Sequence, residues 1–225
     1  MKRCCTLIMA AIAVLVFNSC SSYVQKTPPV RERIEWYNIW ITNADSDTLP
    51  RVLFIGDSIT QGYFGPVEKL IGNRANCARI TTSGSVCDPI YFDELSLILE
   101  QYEFAVIHFN NGLHGWGYSE DKYREGIERL IDLLKDKAPR AKLIWASSTP
   151  VLRHAGMSVN AHRVPVRNGI ASGLAESEGI PVNDLYSLVE GHDSYYSKDG
   201  VHFNDEGKST QAEQVAKTVL MLLEQ

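Results

Sequence analysis

The alternation of short apolar runs with helical patterns is the sequence feature that most constrains the fold. The apolar runs predict five strands, at residues 51–56, 78–82, 104–109, 141–146 and 180–183. Helical patterns lie at residues 66–72, 119–134 and 163–178, and from about residue 205 onward. Strands that alternate with helices form a parallel sheet covered on both faces. We therefore expect an α/β fold, a three-layer α/β/α sandwich around a five-stranded parallel sheet, with its site at the carboxyl ends of the strands.

The first 22 residues differ in character from the rest of the chain. A basic start is followed by an unbroken apolar run over residues 7–17, and Cys20 comes soon after it. This order is typical of an export signal, and the run is too short to span a bilayer; a buried core helix is the alternative. The position of Cys20 resembles the lipid acceptor of a bacterial lipoprotein. We expect residues 1–19 to be a signal peptide and Cys20 to be a lipid anchor, on an exported protein of the periplasm or cell surface.

Residues 20–49 are polar and are interpreted as a tether and lead-in segment to a domain over residues 50–225. The large apolar residues of this segment are expected to pack on the domain rather than to bind a partner: Ile34, Trp36, Ile39 and Trp40. Contact with a membrane is expected only through the lipid on Cys20. The oligomeric state is left open.

Charge and cysteine content exclude some classes of partner. The 22 basic and 27 acidic residues give a net charge of −5, whereas binding to nucleic acid needs a basic face. No pair of cysteines has metal-ligand spacing, and no cofactor or metal is expected. Cys77 and Cys87 lie beyond the predicted signal and anchor, and they either form a disulfide or remain separate thiols.

A serine, a histidine and an aspartate lie where a sheet of this kind places its chemistry. Ser58 follows the first predicted strand, in the order Gly56-Asp57-Ser58. At a turn from strand to helix a serine can expose its hydroxyl and bring a backbone N–H near an oxyanion. Asp199 and His202 are three residues apart across a glycine, so one turn can present both side chains together. An attacking serine needs a base and a group that orients the base, and these residues predict such a triad.

The Gly-Asp-Ser and Asp-x-x-His motifs, in this order, resemble the first and last blocks of the SGNH (GDSL-type) hydrolase superfamily. These proteins are serine esterases on a flavodoxin-like α/β/α fold, and the resemblance extends over about residues 50–225. It implies that Ser58 is the nucleophile, with His202 as base and Asp199 as the group that orients it. It also implies that the backbone N–H groups of Ser58 and Gly84, the second-block glycine, bind the oxyanion.

The third block departs from the family pattern. The family has Gly-x-Asn-Asp after the third strand, and its Asn side chain is an oxyanion donor. Here residues 108–115 read HFNNGLHG, which places His114 where the family has Asn. An imidazole N–H can donate, so either His114 or Asn110 is expected to complete the oxyanion hole. The phrase His-Phe-Asn-x-Gly-Leu-His resembles a subgroup found in glycan-degrading bacteria.

Other residues near the strand ends suggest supporting roles. His108 is expected to be a core histidine, Asp57 to brace the turn before Ser58, and Asn168 to hold a neighbouring loop. Trp116 and Tyr118 are expected in a flexible aromatic loop, where packing and contact with a sugar ring are both open. Four basic residues are expected in a solvated loop, with contact to an anionic or sugar substrate as the alternative: Arg153, His154, Arg163 and Arg167.

The resemblance implies a serine esterase that works through an acyl-enzyme. Because no long apolar lid segment is evident near the site, we expect small acyl esters, with acetyl groups on carbohydrates as the favoured substrate. A lipid esterase or thioesterase is one alternative. A glycan-binding protein that keeps the fold but has weakened catalysis is the other, because the third block is altered.

Overall fold

The computed structural model describes residues 28–225 and contains, within them, a single mixed sheet flanked by helices. The strands are β1 (Tyr37–Ile41), β2 (Arg51–Gly56), β3 (Asn76–Thr82), β4 (Val106–Phe109), β5 (Lys142–Ala146) and β6 (Val182–Asn183). The α-helices are α1 (Ser58–Ile71), α2 (Pro89–Leu99), α3 (Glu120–Lys137), α4 (Val164–Ser177), α5 (Leu185–Val189) and α6 (Asp205–Leu223). The predicted signal peptide and the anchor at Cys20 lie outside the described residues.

The strand order is β1-β3-β2-β4-β5-β6, and β2 to β6 run parallel. The five predicted strands therefore make the parallel sheet, and their order is the flavodoxin-like one. The sheet has a sixth strand, because β1 from the lead-in segment pairs antiparallel with β3. The chain leaves β2 on one side for β3 and later returns on the other side for β4. That reversal places a crevice at the carboxyl end of β2.

Alternate residues of β2 face two separate cores, as the period of a strand requires. Val52 and Phe54 belong to a core shared with α1 and α6. Leu53 and Ile55 belong to a second core, which is shared with α2, α3 and α4. All four side chains are fully buried. The fold class predicted from the sequence, three layers with the sheet in the middle, is confirmed.

Helix α1 begins at Ser58, eight residues before the predicted start at Pro66. Asp57 caps the helix, since its Oδ1 accepts a hydrogen bond of 2.8 Å from the Ile59 N–H. Pro66 therefore lies inside the helix, where it removes one backbone hydrogen bond. The helix tolerates this loss because its apolar face is buried in the core. That face consists of Ile59, Tyr63, Phe64, Val67 and Ile71.

The lead-in segment is held by backbone pairing rather than by burial of its apolar side chains. Ile34, Ile39 and Trp40 remain largely exposed, and Trp36 is only half-buried. The expectation that these side chains pack on the domain is therefore wrong for Ile34, Ile39 and Trp40. Because β1 is an edge strand, its outer side has no neighbouring strand, and the successive residues Ile39 and Trp40 are exposed on its two opposite faces.

Two further findings bear on the sequence predictions. Cys77 and Cys87 are free thiols, so the disulfide alternative does not hold in this structure. Burial raises the pKa of the Cys77 thiol to about 12, which keeps it protonated and unreactive. Of the helices that the structure describes in residues 28–225, none has both the length and the apolar character to cross a membrane.

Candidate active site

Ser58 lies at the carboxyl end of β2, where the sheet topology opens a crevice. It is the first residue of α1, because Asp57 takes the cap position and turns the chain from strand to helix. The first backbone N–H groups of a helix have no partner within the helix. The Ser58 N–H is one of these groups, so the serine brings a hydroxyl and a free donor to the same point. Asp57 thus braces the turn in the way that its position suggests.

His202 connects Ser58 with Asp199. The Ser58 hydroxyl donates to His202 Nε2 at 2.8 Å, across 144 residues of sequence. The Nδ1–H of the same ring donates to Asp199 Oδ2 at 2.7 Å. The structure therefore brings together the three residues that the sequence places in a triad. Both partners of this pair are about half exposed, so the site is open to solvent.

The turn from Asp199 to His202 is stabilised by the carboxylate itself. Asp199 Oδ1 accepts hydrogen bonds of 2.9 Å from the backbone N–H groups of Val201 and His202. Gly200 has φ +70°, a left-handed conformation that glycine adopts without strain. Burial alone would raise the pKa of Asp199, but the hydrogen bonds from His202 and the backbone hold it well below its ordinary value. Asp199 is therefore ionised and able to orient the imidazole.

Two of the expected oxyanion donors already have acceptors. The Gly84 N–H donates to Thr82 Oγ1 at 2.8 Å. The Asn110 side-chain amide donates to the Ala146 carbonyl at 2.6 Å and to Ser148 Oγ at 3.1 Å, which uses both of its hydrogens. Asn110 thus ties the end of β4 to the end of β5.

His114 keeps one ring nitrogen available. Its Nδ1 lies 3.0 Å from Glu32 Oε2, while its Nε2 has no hydrogen-bond partner among residues 28–225. His114 lies in the loop between β4 and α3 and is mostly buried. Of the two residues proposed for the third donor, His114 is therefore the one with a free nitrogen.

The loop that carries His114 is held by a buried guanidinium. Arg167 of α4 is fully buried and donates to the carbonyls of Gly112 (3.1 Å), His114 (2.7 Å) and Gly115 (3.0 Å). The guanidinium also lies 4.2 Å from the centre of the Trp116 ring. The expectation of a solvated loop is wrong for Arg167, because three backbone carbonyls accept hydrogen bonds from the buried guanidinium and the Glu120 carboxylate lies 3.5 Å from its Nε.

Arg163 has a similar structural role. It forms a bidentate ion pair with Glu120 and donates to the carbonyls of Trp116 (2.7 Å) and Tyr118 (2.6 Å). The aromatic loop is thus anchored at several points rather than flexible, and Arg163 is also not a solvated side chain. Arg153 and His154, in contrast, are exposed, as expected for a solvated loop.

Two other expected supporting residues lie where the sequence places them. His108 is fully buried and accepts a hydrogen bond at Nε2 from the Asn183 amide at 3.1 Å. Burial lowers its pKa to about 3, so it is a neutral core histidine. Asn168 clasps the loop after β5, because its side chain accepts from the Ser148 N–H and donates to the Ser148 carbonyl, both at 2.8 Å.

Sequence reasoning missed Asn111 and Glu32. The Asn111 amide donates to the Gly84 carbonyl at 2.9 Å, and its Oδ1 accepts from the Val86 N–H at 3.3 Å. It thereby joins the loops that follow β3 and β4. Glu32 reaches His114 from a segment 82 residues earlier in the chain. No local pattern marks either residue, since both act through contacts that only the folded chain creates.

Residues 28–225 contain no group of three or more His, Cys, Asp or Glu side chains arranged to hold a metal ion. The described part of the site thus consists of the hydrogen-bonded residues Ser58, His202 and Asp199, the unpaired Ser58 N–H, the unpaired Nε2 of His114, and the loops that carry them.

Solved structures with the same architecture identify the fold. A GDSL-like lipase from Bacteroides thetaiotaomicron superposes with a TM-score of 0.59 at 19% identity, covering 76% of this chain and 88% of the other. The chain has the SGNH (GDSL-type) hydrolase fold. A carbohydrate esterase family 3 protein from Talaromyces cellulolyticus superposes with a TM-score of 0.64 at 16% identity, covering 78% of this chain and 99% of the other. A carbohydrate acetylesterase family member from Sinorhizobium meliloti superposes with a TM-score of 0.61 at 18% identity, covering 79% of this chain and 100% of the other.

The sequence alone is less informative than the fold. No protein-family model matches it, and a comparison with curated proteins also finds no match. The SGNH fold that the motifs imply is nevertheless confirmed by the structural likeness. Ser58, Asp199 and His202 occupy this fold at the carboxyl edge of the sheet.

The Arg167 network gives a testable prediction for stability. We expect Arg167→Met to lower the free energy of unfolding by about 3 kcal/mol, because three carbonyls lose a buried donor and Glu120 loses a neighbouring positive charge. Urea denaturation followed by circular dichroism measures this change. Arg124→Met on the exposed face of α3 is the matched control and is expected to stay within about 0.5 kcal/mol of wild type. Equal stability of the two variants would contradict the role given to Arg167.

Proposed function

We propose that the chain is a serine esterase of the SGNH kind, a carboxylic ester hydrolase that uses Ser58, His202 and Asp199. One observation carries the proposal: a single imidazole accepts the Ser58 hydroxyl on one nitrogen and donates to a carboxylate from the other. That arrangement activates a serine for attack on a carbonyl. The SGNH fold supports the proposal, because the three residues lie at its topological switch point.

The proposed reaction follows from the positions of the protons. His202 Nε2 takes the Ser58 proton as Oγ attacks the ester carbonyl, and the carbonyl oxygen becomes an oxyanion. The tetrahedral intermediate collapses, and His202 returns the proton to the departing alcohol. A water molecule then gives a proton to His202 and attacks the acyl-enzyme, which releases the acid and restores Ser58. Asp199 stabilises the imidazolium that forms in both halves of the reaction.

For the oxyanion we propose the Ser58 N–H and the His114 ring as donors. The Ser58 N–H and His114 Nε2 have no hydrogen-bond partner among the described residues, whereas the Asn110 amide is fully used. The Gly84 N–H joins the hole only when its bond to Thr82 is exchanged for one to the substrate. Donors aimed at a developing oxyanion supply a large share of the rate enhancement in acyl transfer.

The proposed substrate is a small acyl ester, with an acetyl group on a carbohydrate favoured. Two of the solved proteins that share this fold are a carbohydrate esterase and a carbohydrate acetylesterase family member. The open surroundings of His202 and Asp199 suit a bulky alcohol such as a sugar chain. A screen of acetylated oligosaccharides against the purified protein, with released acetate as the readout, identifies the alcohol. A lipid esterase would instead hydrolyse long-chain esters fastest.

We also propose that the protein is exported and anchored through a lipid on Cys20. The basic start, the apolar run and the cysteine that follows support this proposal. Fractionation of cells tests it: the wild-type chain is expected in the membrane fraction, and Cys20→Ser in the soluble fraction. Equal partitioning of the two would contradict the anchor.

The triad gives the central kinetic prediction. We expect Ser58→Ala to abolish hydrolysis of 4-nitrophenyl acetate, because the attacking oxygen is removed while the fold is kept. Release of 4-nitrophenol by the wild type and the variant measures this, and circular dichroism checks the fold. Ser177→Ala, at an exposed serine of α4, serves as the control and should retain the wild-type rate. Hydrolysis by Ser58→Ala at the wild-type rate would overturn the proposed function. If the wild-type chain binds acetylated glycan but does not hydrolyse it, a glycan-binding protein is favoured instead.

A further inference from the structure

We propose that Glu32 is a positioning residue that holds His114 as an imidazolium, so that the oxyanion hole contains a charged donor. The inference deepens the proposed function and rests on it, because an oxyanion forms only if Ser58 attacks a carbonyl. It also makes the lead-in segment part of the active site.

The contact between Glu32 and His114 is bidentate on the carboxylate side. His114 Nδ1 lies 3.0 Å from Glu32 Oε2 and 3.2 Å from Oε1. Glu32 Oε1 also accepts a hydrogen bond of 3.1 Å from the Gly115 N–H. The Glu32 carboxylate therefore contacts both the ring of His114 and the backbone N–H of the next residue. The His114 side chain is 17% exposed and that of Glu32 is 34% exposed, so the pair is only partly screened by water.

The chemistry of the imidazole determines what this contact does. A carboxylate accepts hydrogen bonds and cannot donate them, so His114 must carry a proton on Nδ1. A neutral ring with its proton on Nδ1 has only a lone pair on Nε2, and that lone pair would repel an oxyanion. Nε2 can donate only when the ring is protonated on both nitrogens. A histidine that replaces the SGNH asparagine and donates from Nδ1 to a carboxylate must therefore be charged in order to donate a hydrogen bond to the oxyanion.

The charges that face His114 favour the protonated ring. Glu32 comes from the lead-in segment and Asp57 from the cap of α1, while Arg167 of α4 opposes them with a positive charge. Burial also disfavours the charged ring, yet the hydrogen bond to Glu32 and the charges of Asp57 and Glu32 raise the pKa of His114 above its ordinary value. In the same way, burial disfavours the Glu32 carboxylate, but the contacts with His114 lower the pKa of Glu32.

The residues on either side of His114 lie next to two elements of the proposed site. Leu113 lines a small cavity together with Ile59 and Thr60, which follow Ser58 in α1. A side chain at Gly115 would collide with Ser85, in the loop after β3 that also carries Gly84. Leu113 thus lies next to the start of α1 and Gly115 next to the second-block loop, and Asp57 is close enough for its charge to act on the His114 ring.

The inference predicts a specific dependence on pH. Because the folded-state pKa of His114 is raised, the charged donor is present below that pKa and is lost as the pH rises through it. An amide donor in the same place would not titrate. We therefore expect kcat/KM to fall as the pH rises through the pKa of His114, and this fall is the alkaline side of the pH profile.

The test compares Glu32→Gln with the wild type and with a matched control. Glu32→Gln keeps an oxygen that accepts from Nδ1 but removes the charge. Glu35→Gln removes the same charge from the same segment at a residue that pairs with Arg31 and does not contact His114. Profiles of kcat/KM against pH are measured with 4-nitrophenyl acetate for the three full-length proteins. His114→Asn, which restores the family residue, is measured alongside them.

We expect the alkaline side of the pH profile to move to lower pH in Glu32→Gln and to stay in place in Glu35→Gln. At alkaline pH the loss should approach about 10²-fold, the usual cost of one oxyanion donor. In His114→Asn the alkaline side should disappear. If Glu32→Gln keeps the wild-type profile, or if His114→Asn keeps the alkaline side, the inference is wrong.

A second readout does not depend on hydrolysis. NMR titration of the His114 ring in the Ser58→Ala background reports its protonation directly. A His114 pKa that falls when Glu32→Gln is added supports the inference, and a His114 pKa that does not change overturns it. If the wild-type chain hydrolyses no ester at any pH, the proposed function fails, whereas this titration still decides whether Glu32 holds the charge on His114.

Discussion

The hydrogen bond from the Ile59 N–H to Asp57 Oδ1 is the interaction on which the site depends most. It starts helix α1 directly after β2, with only Asp57 between strand and helix. A longer connection would place Ser58 in an unpaired loop. Instead, its hydroxyl and its backbone N–H are both held at the N-terminus of a helix and at the reversal point of the sheet. The fully buried strand β2 makes this position rigid.

The remaining groups reach Ser58 from distant parts of the chain, and each is held by its own local support. Asp199 supports His202 within a four-residue turn, as the paired backbone N–H bonds show. Arg167 supports the loop of His114 through its carbonyls. Asn111 joins that loop to the one that carries Gly84. The site thus consists of short segments around the start of α1. Residues that do not themselves react, such as Arg167 and Asn111, hold these segments in position.

The sequence predicts the parts of this arrangement that leave a local pattern. Buried strands appear as apolar runs, and the strands from β2 to β6 were found within a few residues of their ends. Asp199 and His202 could be paired because they share one turn. The start of α1 was missed because Pro66 and Gly72 resemble the start and the end of a helix. Burial of the apolar face instead extends the helix through the proline.

Other features leave no local pattern. Strand β1 was missed because its apolar residues, Ile39 to Ile41, lie within a polar segment that was interpreted as a tether. Arg167 was misread because arginine is ordinarily exposed, and only the fold gathers the carbonyls that allow its burial. Glu32 lies in a segment that looks like a tether, and its partner is 82 residues away. Long-range electrostatic contacts of this kind depend on the whole topology rather than on neighbouring residues.

The most direct test of the account is covalent labelling with a fluorophosphonate, which reacts with a serine activated by a neighbouring base. The account predicts one adduct on the full chain, located at Ser58 by mass spectrometry of peptides. The adduct should be absent in His202→Ala, because the base that activates Ser58 is removed. No adduct on the wild-type chain, or an adduct on a different serine, would contradict the assignment of Ser58 and His202.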